Sequence, residues 1–204
     1  MSYTVISSGP SPYARKIRIA LLEKDIPFTL KTETPWHSST ETPLYNPLEK
    51  LPILISPDGK DAVYESHYIL EWLEARFPSQ TPLLSKDTDE ALLAKQIEVV
   101  ADGGEGKRSD EWAARQQRKI DGGFRALAEW YGEGEGKEFF VGGKFGLADV
   151  AAGSLMGWLK SQFPDLEWRR KYPKLERYLD RLEERESFKK SRPGGMDLEI
   201  EKIV

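Results

Sequence analysis

The sequence predicts an α/β domain, built on a small mixed sheet, followed by an all-α domain. Three observations carry that expectation. Residues 1–78 alternate short β-prone runs with amphipathic helical segments, in the order β-α-β, irregular chain, hairpin, helix. The stretch "PSQTPLLSKD", Pro78 to Asp87, then changes the character of the chain. Beyond it, helical patterns follow one another and no convincing strand appears. We therefore place a first domain at residues 1–78, a linker at 79–85 and a helical domain at 86–204.

The elements can be justified in order. Thr4–Ser7 is a short β-prone run. Ser11 then precedes Pro12, the pairing of an N-cap with a proline at N1, and Tyr13, Ile17, Ala20 and Leu21 fall at helical spacing through Lys24. "KDIPF" stops this helix because the residue before Pro27 is pushed out of the α region. Phe28–Thr34 reads as a second strand, and an irregular proline-rich stretch runs to Pro47. "LPILI" (Leu51–Ile55) is a third strand, "SPDG" a turn, and Ala62–Tyr64 the returning hairpin strand. From Ser66 to Phe77 a helix puts Ile69, Leu73 and Phe77 on one face, and Pro78 ends it.

In the second half, Thr88 to about Ala101 is helical and "DGGEG" (Asp102–Gly106) breaks it. Asp110–Tyr131 is the next helix and "GEGEGK" (Gly132–Lys137) a loop. These glycine-rich pieces lack the lysine-hydroxyl ending and the strand context of a phosphate loop, so they read as helix breakers. "FGLADVAAGSLMGWL" is apolar nearly all round, which predicts the buried centre of this half. With Gly146 as its N-cap, Asp149 falls at N3 and can reach back to the cap amide, while Phe145 and Val150 form a hydrophobic staple. "YPKLERYLDRLEERESF" starts at Pro173 and lines up Leu175, Tyr178, Leu179 and Leu182, leaving Glu183, Glu184 and Arg185 as a solvated face.

Composition narrows the function. A net charge of −4 in 204 residues gives no support to nucleic-acid binding or to a basic membrane-surface protein. No apolar run approaches the ~18 residues of a membrane span. Met1-Ser2-Tyr3-Thr4 does not begin a secretion signal, so a cytoplasmic location is expected. The chain has no cysteine, which excludes disulfides, thiolate metal sites and a protein-borne thiol nucleophile. With His37 and His67 as the sole histidines, a zinc site or histidine triad has few parts, and we expect no metal.

Three openings in the first domain carry polar groups suited to a small charged ligand. Ser11 begins the first helix; its local role as a cap needs no further function. Lys50 and Leu51 precede Pro52 at a strand opening, where Lys50 can meet a carboxylate and Leu51 can pair its backbone with a peptide. Glu65 and Ser66 open the next helix, offering a partner for an ammonium group and for a second carboxylate.

The segments "SPYARKIRIALLEKDIPF", "KLPILI", "VYESHYILEWLEARFP", "GLADVAAGSLM" and "YPKLERYLDRL", in that order, resemble the cytosolic glutathione transferases of the serine type, tau-like, zeta-like or a related bacterial or fungal class. The resemblance spans essentially the whole chain. It implies a thioredoxin-like first domain, a helical second domain, glutathione as co-substrate without a metal, and a homodimer. By position, Ser11 matches the serine that hydrogen-bonds the glutathione thiol. Lys50 and the Leu51 backbone match the residues holding the glycyl carboxylate and cysteinyl backbone. Pro52 matches the family's cis-proline, Glu65 and Ser66 the pair holding the γ-glutamyl group, and Asp149 the capping-box aspartate of the helical domain.

The energetics suffice. A thiol of pKa near 8.5 is about 3% ionised at pH 7, and half-ionisation needs ~1.5 units, about 2 kcal/mol. A hydrogen bond to a charged acceptor contributes ~1.5–3 kcal/mol and a helix N-terminus ~0.3–1 kcal/mol. Ser7 and Ser8 are rivals for Ser11, although counting back from "RIAL" favours Ser11. Tyr3 lies too far upstream for a tyrosine-type role, and the missing cysteine excludes a thioltransferase-type reading. Tyr13, Trp36, Asp102 and Trp112 are candidates for a second-substrate pocket, with core packing the competing role for each aromatic. His37 is a candidate flank of the glycyl end, and His67 a packed or surface residue. Two departures stand out: "ADGGEGKRSDEW" interrupts a helix that runs longer in the family, and Gly146 replaces its usual serine or threonine cap. The expected reaction is addition of the thiolate to a small apolar electrophile. A glutathione-dependent isomerase or dehalogenase, and a non-catalytic ligand-binding member, are the alternatives.

Overall fold

The computed structural model describes residues 2–35, 37, 39–102, 110–132, 137–193 and 202–203, with backbone alone for 110–117 and 202–203. Two compact units result, residues 1–82 together with 185–204, and residues 83–184.

The first unit contains β1 (Tyr3–Ser7), α1 (Pro12–Glu23), β2 (Phe28–Thr32), α2 (Thr42–Tyr45), β3 (Ile53–Ile55), β4 (Ala62–Tyr64) and α3 (Ser66–Arg76). The order in the sheet is β4-β3-β1-β2-β5, where β5 is Lys202–Ile203. β1 runs parallel to β2, with Val5 opposite Leu30, and antiparallel to β3, with Val5 opposite Leu54. β3 and β4 form the expected hairpin, Leu54 opposite Val63. Val5, Ile6, Ile53 and Leu54 on the strands are fully buried, as are Ile17, Leu21, Ile69 and Leu73 on α1 and α3, which pack on each other. The βαβ-ββα mixed sheet is thus the predicted one.

Three local features differ from expectation. β2 ends at Thr32, not Thr34, because Glu33 folds into its own network: its buried carboxylate accepts from Thr40 and Thr42 hydroxyls (2.5 and 3.1 Å) and from the Glu41 amide (3.0 Å). α2 lies in the stretch read as irregular; four residues are too few to show a period. β5 adds a strand beyond residue 87, where none was expected; its two residues pair with Thr29 and Leu30 of β2.

Residues 185–193 and 202–203 pack with the first unit, whereas the sequence placed them in the helical domain. The cause is α1, which is buried nearly all round, cations included. The Arg15 guanidinium lies 5.0 Å from the ring centre of Phe188 in α9 (Glu186–Lys190). Glu23 accepts from Arg185 at 2.7 Å and from the Ser187 hydroxyl at 2.6 Å. Lys24 pairs with Glu74 (2.7 Å) and donates to the Thr81 carbonyl (2.9 Å), fixing the chain after α3.

The second unit holds α4 (Thr88–Asp102), α5 (Asp110–Tyr131), α6 (Leu147–Gln162), α7 (Trp168–Lys171) and α8 (Pro173–Glu183). α6 is central as predicted, with α4 and α8 packed on it and Val150, Ala152 and Met156 fully buried. Asp149 Oδ2 accepts from the Gly146 amide at 2.8 Å, the side-chain half of the capping box. The same carboxylate accepts from Phe140 N (3.0 Å) and from the Tyr178 hydroxyl (2.6 Å). Phe145 packs edge-on against Phe139, 6.0 Å between centroids. Gly146 has a steric reason: a Cβ there would lie 2.7 Å from the Leu83 carbonyl oxygen, which already accepts from Leu147 N at 2.7 Å. None of the described helices is long and apolar enough to cross a membrane.

Candidate functional site

The site is assembled by strand register. Ile6 faces Ile53 and Ile53 faces Tyr64, so the C-terminal ends of β1 and β4 and the N-terminal end of β3 lie together at one end of the sheet. Ser11 follows β1, Lys50 to Pro52 lead into β3, and Glu65 with Ser66 follows β4. Residues far apart in sequence are thereby brought to one edge.

Ser11 is the N-cap of α1, half-buried, with extended φ/ψ (−70°, 119°), and its Oγ accepts from Ala14 N at 3.2 Å. Capping uses the hydroxyl as an acceptor. A hydroxyl has one proton and two lone pairs, so its O–H is left to donate elsewhere, and an accepted N–H polarises it toward donation. Its rival Ser7 is 1% exposed, and its hydroxyl donates to the Ser8 carbonyl at 3.3 Å. Ser8 is half-buried in the turn before Ser11, where its carbonyl accepts from Ser11 N at 3.1 Å.

The loop before β3 is organised by a residue the sequence did not single out. Asn46 is fully buried; its Nδ2 donates to the Lys50 carbonyl at 2.8 Å and its Oδ1 accepts from Leu48 N at 2.9 Å. Asn before Pro47 reads as a turn former, but burial of both ends of its amide is a tertiary fact. Glu49 adopts φ 53°, Lys50 is exposed, and the Leu51–Pro52 bond is cis, as the resemblance implied.

Glu65 is exposed and holds φ 70°, ψ 116°, a region that costs a side-chain-bearing residue on the order of 1–3 kcal/mol and marks functional sites more often than framework. It leads directly into Ser66, which is 6% exposed at the first turn of α3. Neither α1 nor α3 carries an acidic residue in its first turn, and the carboxylate nearest the start of α3 is that of its N-cap, Glu65. Two helix N-termini, one lysine and one glutamate at the same edge complement a small molecule bearing carboxylates and an ammonium group.

The remaining candidates are dispersed. Tyr3 sits at the other end of β1, edge-on to Trp72 and Phe77 at 6.0 Å each. Tyr13 is half-buried on α1, His37 is exposed, and His67 is half-buried on α3. Asp102 ends α4 in the second unit. Trp36 and the Trp112 side chain lie outside the described residues, as do residues 103–109, where the interrupted helix was expected.

Comparison with known proteins extends over the same segments. Residues 10–76 match the family model "Glutathione S-transferase, N-terminal domain", and residues 110–181 match "Glutathione S-transferase, C-terminal domain". A glutathione S-transferase of Methylobacterium radiotolerans JCM 2831, solved in complex with glutathione sulfonate, is 45% identical over 100% of both chains, with a TM-score of 0.89. One from Methylobacillus flagellatus KT, solved with glutathione bound, is 30% identical over 95% of this chain and 100% of its own, with a TM-score of 0.85. Glutathione S-transferase U25 of Arabidopsis thaliana is 29% identical, the match covering 96% of this chain and 88% of the plant protein. With a thioredoxin-like first unit, a helical second unit and similarity over both, the chain belongs to the glutathione S-transferase family.

Proposed function

We propose that this protein binds glutathione at the β1/β3/β4 edge, stabilises its thiolate through Ser11, and transfers it to small apolar electrophiles in the cytoplasm. The observation that carries the reading is the Ser11 hydroxyl at the N-terminus of α1, its acceptor side occupied by Ala14 N and its proton available. Lys50 would hold the glycyl carboxylate, the Leu51 backbone ahead of Pro52 the cysteinyl amide, and Glu65 and Ser66 the γ-glutamyl ammonium and carboxylate. The thiol proton leaves to solvent. The sulfur then forms a bond to the electrophilic carbon; in a displacement, the bond to the leaving halide breaks and the halide carries off the electron pair. Family membership also motivates a homodimer. Exposed Leu92 and Val99, seven residues apart on α4, suit such a contact.

The test is retention on immobilised glutathione combined with conjugation of 1-chloro-2,4-dinitrobenzene, in wild type and in Ser11→Ala. Losing one hydrogen bond to a thiolate should lower turnover roughly 10- to 100-fold with glutathione affinity little changed. Unchanged turnover would move the role to Ser8. Retention without conjugation would assign a ligand-binding member, and turnover of a substrate without net glutathione consumption an isomerase.

A further inference from the structure

A series of buried polar groups in the first unit runs from the end of β1 to the loop that carries Lys50, and it starts at a carboxylate the proposed chemistry does not use. Glu33 follows β2 and is 9% exposed; its amide donates to the Ser7 carbonyl at 2.8 Å, which ties its backbone to the end of β1. Its Oε2 gathers the Thr40 hydroxyl, the Glu41 amide and the Thr42 hydroxyl, and its Oε1 lies 3.2 Å from Lys31 Nζ. Burial opposes a charge there, but the hydrogen bonds from Thr40, Lys31 and Thr42 prevail and hold the carboxyl below its usual pKa, so the acceptor is ionised at neutral pH. An ionised acceptor shared by these donors clamps residues 40–42.

α2 depends on that clamp. It has four residues, and a single turn gains too few hydrogen bonds to offset the cost of nucleating a helix, so its position must come from contacts at its ends. Both ends are polar and fully buried. Thr42 opens α2 and donates to Glu33; the Thr42 carbonyl accepts from Asn46 N at 2.9 Å; Asn46 Nδ2 donates to the Lys50 carbonyl at 2.8 Å. Exposed Lys50 is thus placed from beneath by groups that water does not reach.

Given the proposed glutathione site, on which this rests, we infer that Glu33 is a positioning residue for the glycyl end of the tripeptide. Acting through Thr42 and Asn46, it sets the placement of Lys50 and so the preference for a ligand that carries the glycyl carboxylate. The effect belongs to one end of the ligand, because Ser11, Glu65 and Ser66 are placed by α1, β4 and α3 instead.

The test compares glutathione with γ-glutamylcysteine, which lacks the glycine, by titration calorimetry on the full-length chain. Wild type should bind glutathione roughly fivefold more tightly, the value of one exposed ion pair. In Glu33→Ala that margin should shrink below about twofold, through weaker binding of glutathione with the affinity for γ-glutamylcysteine retained. Glu33→Gln keeps the length and one acceptor oxygen and should restore most of the margin. If circular dichroism shows Glu33→Ala to be poorly folded, Thr42→Val breaks the same link from the other side in a side chain of the same shape, and should narrow the margin too. In ligand-free protein, amide hydrogen exchange over residues 42–51 should be faster in Glu33→Ala than in wild type. A margin unchanged in both variants, equal weakening of the two ligands, or unaltered exchange overturns the positioning role and leaves the glutathione site standing. A wild type that binds neither ligand, or both equally, refutes the proposed site and the ligand role with it, and the exchange measurement still decides whether Glu33 holds the Lys50 loop.

Discussion

At the scale of single residues, what matters at the sheet edge is how two short polar side chains distribute their donors and acceptors. Ser11 accepts inward, from Ala14 N, and keeps its proton. Asn46 spends both halves of its amide inward, on Leu48 N and the Lys50 carbonyl, so its contribution is the shape of the loop carrying Lys50 and Leu51. Asn46→Ala strands a buried N–H and a carbonyl, which costs ~1–3 kcal/mol for each that water cannot reach. Because the proposed function sets this loop against the peptide part of glutathione and not its sulfur, KM for glutathione should rise several-fold in Asn46→Ala while kcat changes less. A steady-state titration of glutathione at fixed electrophile separates the two, and a fall in kcat with KM unaltered would contradict the positioning role. Ser11 was legible because a cap before a proline is a local pattern. Asn46 was not, because nothing within five residues of it tells that the fold will close over its amide.

At the scale of elements, α6 shows how a general rule yields to a neighbour. A side-chain cap would suit its N-terminus, yet Gly146 stands there because the Leu83 carbonyl passes where a Cβ would go. Gly146→Ser should therefore destabilise the protein by about 1–3 kcal/mol, where cap propensity alone predicts a gain of a few tenths. Urea denaturation decides the sign. The other half of the cap, Asp149, is 1% exposed, and burial pushes its carboxyl from 3.8 up to about 6 despite hydrogen bonds from Tyr178, Phe140 and Gly146. Between those values the native state holds a proton that the unfolded chain has released. The stabilising contribution of this group is thus complete below pH 3.8 and is lost as pH rises through about 6, on the order of 2–3 kcal/mol in all. The stability difference between wild type and Asp149→Asn should be larger at pH 4 than at pH 7; a difference independent of pH would mean that Asp149 stays ionised throughout. The helix, its cap position and the aspartate were all readable from spacing. The reason for the glycine was not, since Leu83 is more than sixty residues upstream.

At the scale of the whole chain, the least legible feature is where the C-terminal segment goes. Its residues, "RESFKKSR", read as a continuation of a charged amphipathic helix, and no periodicity announces that α8 stops at Glu183 and that the chain then joins the first unit. The buried cations of α1 drive that return. A fully buried Arg15 needs a partner surface, and α9 supplies both the Phe188 ring and the Phe188 carbonyl, 3.4 Å from Nη2. Phe188 is itself 0% exposed, although it follows the helical domain in sequence. Phe188→Ala should consequently cost about 3–5 kcal/mol and lower the melting temperature by on the order of 10 °C. Arg185→Ala, which removes a partly exposed pair with Glu23, should cost under about 1 kcal/mol. Because Phe188 packs on the helix that begins at Ser11, loss of glutathione retention on warming should precede that of wild type in Phe188→Ala and track it in Arg185→Ala. Equal effects of the two substitutions would show that the ion pair, and not the ring against α1, anchors the segment.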